Sequence, residues 1–80
     1  MLPNKNLSKA DAQWLLNDFK PLVGGSIRGK NISIYTKAVN LIRGTNLPNP
    51  GCSCEYQTKA LVAQSLFGQY QDDIIKIANS

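Results

Sequence analysis

The sequence predicts an all-α fold, a compact three-helix domain with a long C-terminal amphipathic helix. Three observations carry this. Apolar residues in the last third recur at alternating steps of four and three. Two earlier segments show helical spacing between start and stop signals, and the breaks between segments hold glycine or proline. With 80 residues, the chain reads as a single domain over 1–80, near the lower end of what one core can stabilise unaided.

The first helix is expected over about 8–20. Ser8 supplies the N-cap, and Asp11 completes an S-x-x-D variant of the capping box. Leu7 and Ala12 stand where a hydrophobic staple forms, and Ala12, Leu15, Leu16 and Phe19 make the apolar stripe. Pro21 disfavours helical backbone at Lys20 and removes a hydrogen bond, so only a short extra turn ending at Gly24-Gly25 is expected beyond it. Trp14 points away from the stripe. Either the N-terminal arm or the third helix covers it, or it anchors an interface, where tryptophan is enriched.

The second helix is expected over about 33–43, with Ile34, Tyr35, Ala38, Leu41 and Ile42 on its apolar face. Arg43 suits the negative end of the helix dipole, and Gly44 supplies the C-cap. The alternating, β-branched run at 31–36 makes a hairpin through 26–35 a competitor, but four-residue spacings that continue to Ile42 favour the helix. A connector at 45–53 follows. Pro48, Pro50 and Gly51 keep it from being helical throughout.

The third helix, about 54–78, carries the clearest pattern. Tyr56, Ala60, Ala63, Phe67, Tyr70, Ile74 and Ile77 form a 3.5-residue repeat, as expected for a helix that keeps one seam against a partner along its length. Leu61, Gly68 and Ile75 fall outside this seam, seven residues apart on one flank, with Val62 and Leu66 on the other. Two arrangements fit. The helix is surrounded by its own chain, or it meets its own core on one side and another subunit on the other. Gly68 costs about 1 kcal/mol in a helix interior relative to alanine, and close approach of another backbone would account for it.

Charge is unevenly placed. Residues 19–54 carry Lys20, Arg28, Lys30, Lys37 and Arg43 and no acid, while the remainder holds four lysines against five acids. The basic middle segment reads either as a solvated face or as an electrostatic footprint for nucleic acid, with Arg28, Lys30, Lys37 and Arg43 as the contacts. The first two helices and their glycine break could imitate a helix-turn-helix. Against this, the break is long, and Arg28 and Lys30 precede the second helix instead of lining its exposed face.

Other motifs give little chemistry. Residues 24–31 lie one position from a phosphate-binding P-loop, with Asn31 where a magnesium-binding serine or threonine belongs, but no nucleotide-binding sheet can surround them. Cys52-Ser53-Cys54 provides two soft ligands in a chain without histidine, so no metal site is expected within one chain; a zinc shared between two chains or a reducible disulfide are the alternatives. The expectation is two reduced, unligated thiols packed beneath the connector, with Ser53 capping the third helix. Asp72 and Asp73 are adjacent and point about 100° apart on a helix, so they cannot share a proton. No catalytic residue and no cofactor are expected.

No apolar h-region follows Met1, and no stretch approaches the roughly 18 apolar residues of a membrane span, so the chain reads as unexported, with no membrane partner. Two cysteines one residue apart are not a disulfide framework, which makes a reducing compartment the default.

A small basic chain, the Ile42-Arg43-Gly44 helix end, a Pro-rich connector carrying Cys52 and Cys54, and a terminal amphipathic helix occur together here. In general type this resembles the short helical proteins that tailed bacteriophages encode for virion assembly. The resemblance implies a structural subunit rather than an enzyme, resident in the virion or the host cytoplasm. The expected function is thus self-association, or docking onto other structural proteins, through the C-terminal helix, with Trp14, Leu61, Gly68 and Ile75 at the interface. A small nucleic-acid-binding regulator or packaging factor is the alternative, and an inhibitor or adaptor of a host enzyme a third.

Overall fold

The computed structural model describes residues 2–23 and 31–80. Their regular structure is all helical: α1 (Lys9–Trp14), a π-helical turn (Leu15–Phe19), a 3-10 turn (Lys20–Leu22), α2 (Ile32–Arg43), a second 3-10 turn (Ser53–Glu55) and α3 (Tyr56–Ala78). The protein is all-α, and the long C-terminal helix is present. The segment 24–30, which holds half of the competing hairpin and nearly all of the P-loop-like run, lies outside the described residues; Ile32–Arg43 is helical.

Ser8 is the N-cap of α1, its hydroxyl accepting the Asp11 N–H at 3.1 Å. Leu7 and Ala12, the staple pair, are both buried. The single helix expected over 8–20 is instead divided. Pro21 cannot donate to the Asn17 carbonyl four residues back, and its ring crowds that oxygen. Just before it the backbone widens, with the Lys20 N–H bonded to the Leu15 carbonyl five residues earlier. The Val23 N–H then closes the 3-10 turn on the Lys20 carbonyl at 3.0 Å.

α2 ends as expected. Gly44 has a left-handed backbone (φ 73°), and its N–H returns to the Asn40 carbonyl at 2.8 Å. The N-terminal arm seals this end. The Asn4 N–H donates to the Ile42 carbonyl at 3.1 Å and its Nδ2 to the Leu41 carbonyl at 2.6 Å, occupying acceptors that a helix C-terminus leaves orphaned. Of the expected apolar face, Tyr35, Ala38 and Ile42 are fully buried and Ile34 and Leu41 half-buried, while Thr36 and Val39 are buried as well.

α3 packs against α2 and α1. The centre of the core is aromatic, one ring from each helical segment: Phe19 meets Tyr35 edge-on at 6.2 Å and Phe67 at 5.5 Å between centroids. On the seam of α3, Ala60, Ala63, Phe67 and Ile74 are buried. The unbroken heptad seam does not hold to the end. Tyr70 has non-helical backbone (φ −113°, ψ 16°), is only half-buried, and marks a kink. Beyond it Ile74 is buried at its expected place, and at the helix end Ala78 is buried while Ile77 is half-buried.

Candidate functional site

The outer side of α3 presents the features on which the association expectation rests. Leu61 is 52% exposed and Ile75 36% exposed, among the few large apolar side chains in solvent. Between them Gly68 is also exposed, and a Cβ built there would meet nothing within 4 Å. Among the described residues no backbone packs against Gly68, so the expected close approach is not found among them. The kink at Tyr70 falls between Gly68 and Ile75, which puts Leu61 and Gly68 on one straight segment and Ile75 on the next.

Sequence reasoning missed the part of this surface that comes from the connector. Leu47, 46% exposed, joins Val62 of α3 and Arg43 of α2 along one cleft of about 580 Å³. A smaller hollow of about 370 Å³ continues along α3 between Leu61, Val62, Leu66 and Arg43. The connector is held in place by Asn40. Its Nδ2 donates to the Leu47 carbonyl at 2.9 Å, while its Oδ1 accepts the Leu47 N–H at 3.0 Å and the Thr45 hydroxyl at 2.8 Å. Asn49 adds a bond to the Ser33 hydroxyl at 3.2 Å. A polar side chain on α2 with several connector partners was the missed signal, invisible until the chain is folded.

Trp14 is half-buried. Lys37 of α2 places its ammonium 4.2 Å from the indole centroid, a cation–π contact. Of the four basic residues singled out for nucleic acid, Arg28 and Lys30 lie outside the described residues. Lys37 and Arg43 border different clefts, Lys37 the polar one of about 740 Å³ beside Asn4 and Asn40, and Arg43 the two along α3.

The cysteines differ from expectation in two ways. Cys52 and Cys54 are joined in a disulfide, so they are not reduced thiols, and both are exposed instead of packed beneath the connector. Cys54 donates its backbone N–H to Cys52 Sγ at 3.3 Å, a contact that the one-residue spacing makes available. Ser53 is not at the N-cap position of α3. The 3-10 turn Ser53–Glu55 intervenes, and Glu55 occupies the N-cap without a side-chain bond. Among the described residues no group of three or more cysteines and carboxylates is placed to hold a metal, and no helix is long and apolar enough to cross a membrane.

Compared with protein-family models, curated proteins and solved structures, the chain has no significant match.

Proposed function

We propose that this protein is a non-catalytic assembly subunit that self-associates, or docks onto other structural proteins, through the outer face of α3. The observation that supports the reading is the Leu61–Gly68–Ile75 line, exposed on a helix whose opposite face is already buried in its own core. Exposing two large aliphatic side chains gains nothing for a free monomer, whereas burying one contributes roughly 1.5–3 kcal/mol. Gly68 lacks a side chain at the centre of the line, where a partner backbone can come close. Membership of a phage virion or of its assembly machinery is the setting that the resemblance suggests.

The test is the mass of the protein in solution, measured with Leu61→Asp and Ile75→Asp alongside the native chain. Association should disappear in the variants while helicity is kept, because an unpaired carboxylate is costly only where a partner covers it. A native chain that is monomeric throughout and gains mass only with DNA, in a salt-dependent manner, would replace this reading with the nucleic-acid one.

A further inference from the structure

The Cys52–Cys54 disulfide carries chemistry that association leaves unused. As a structural staple it is poor, since the stabilisation from a cross-link falls with the length of loop it closes and this one spans a single residue. Both cysteines face solvent, where an attacking thiolate can reach them. One sulfur is also prepared to leave. Cys52 Sγ accepts the Cys54 N–H at 3.3 Å, a hydrogen bond that favours its thiolate.

Beside the pair lies the cleft of about 580 Å³, within the size range of small-molecule sites. It reaches Gly51 and Glu55, the residues flanking the cysteine pair, and Arg43, Lys59 and Glu55 are its charged lining residues. Two cations and one anion complement a ligand with two carboxylates and one ammonium. Leu47, Pro48 and Val62 supply the apolar wall.

We infer that Cys52–Cys54 is a reversible thiol–disulfide exchange site, served by a zwitterionic thiol peptide of glutathione type seated in the Arg43–Lys59–Glu55 cleft. The peptide thiolate attacks Cys54 Sγ. The Cys52–Cys54 bond breaks, its electron pair leaves on Cys52 Sγ, and a mixed disulfide remains on Cys54. A second peptide thiolate attacks the peptide sulfur of that mixed disulfide and releases Cys54 as a thiolate, which solvent protonates. Two peptide thiols are thereby oxidised to one peptide disulfide, and the protein disulfide is reduced by two electrons. Oxidised peptide runs the sequence backwards.

The test uses the full chain in buffers of reduced and oxidised glutathione, with thiols counted by alkylation and mass spectrometry and helicity followed by circular dichroism. The expected result is opening and reclosure of the disulfide across the glutathione series with helix content unchanged. A bond that opens only in denaturant, or thiols that stay reduced in excess oxidised glutathione, would overturn the proposal. A second measurement addresses the cleft. Arg43→Ala with Lys59→Ala should slow reduction by glutathione roughly five-fold, the scale of two exposed ion pairs, and leave reduction by mercaptoethanol unchanged. Equal rates with both reductants would remove the cleft from the account. In the single variants, the Cys52 thiol of Cys54→Ser should titrate below the Cys54 thiol of Cys52→Ser, and the opposite order would contradict the choice of leaving group.

Discussion

On the inner face of α3, Ala60, Ala63, Phe67 and Ile74 are buried against the other helices, while one residue further along from Ala60 and Ile74, Leu61 and Ile75 stand in solvent. The inner face is apolar, whereas the exposed face sets Leu61 and Ile75 among Thr58, Ser65, Gln69 and Asp72. Hydrophobic residues on the inner face are explained by the chain itself, through the ring contacts of Phe19 with Tyr35 and Phe67. Those on the outer face are not. The difference teaches that the core accounts for only part of the apolar pattern of this helix, and the proposed association is what would account for Leu61 and Ile75.

The comparison breaks most sharply at Phe67, which is 2% exposed. Phe67→Ala should cost about 3–5 kcal/mol, a large part of the stability of a small domain, and thermal melting should show partial or complete unfolding. An unchanged melting temperature would mean that the inner seam is not what holds the fold.

A smaller loss is expected at the end of α2. Gly44→Ala places a Cβ on left-handed backbone and 3.2 Å from the Asn4 side chain, so it should destabilise by about 1–2 kcal/mol. Asn4→Ala in the same background should then cost less than it does alone, because both act on one cap; additive losses would deny the coupling.

Removing a polar atom from the core should act in the opposite direction. The Tyr35 hydroxyl is buried and has no hydrogen-bond partner among the described residues. Tyr35→Phe keeps the ring against Phe19 and should raise stability by about 1 kcal/mol in urea denaturation. A loss would reveal a partner for that hydroxyl.

Gly68→Ala separates the two demands at one position. A Cβ there meets no described residue within 4 Å, so the helix should gain about 0.5–1 kcal/mol while association weakens. If association survives unchanged, no partner backbone approaches Gly68.

The features legible in the sequence are those set by local chemistry. Ser8 and Gly44 were readable as caps because each acts on backbone within a few residues, whereas phase against the seam set Leu61 and Ile75 apart without showing whether the chain itself covers them. The features missed depend on distant chain. Asn4 bonds to carbonyls 37 and more residues away, and Asn40 fastens the connector, contacts that no periodicity encodes. The π turn before Pro21 was half visible: the proline announced a disruption without its form. The kink at Tyr70 was hidden because the apolar spacing runs through it unchanged. At Cys52 and Cys54, composition suggested free thiols, but adjacency in an exposed turn was enough to join them. The basic segment was legible as charge, yet charge alone did not show that Lys37 stacks on Trp14 and borders a different cleft from Arg43.

The most direct test of the central claim is sedimentation equilibrium of the native chain and Leu61→Asp over a range of concentrations. The account predicts a native mass above that of the 8.8 kDa monomer, rising with concentration, and a monomeric, fully helical variant. A native chain that stays monomeric at every concentration, or a Leu61→Asp variant that associates as well as the native chain, would contradict it.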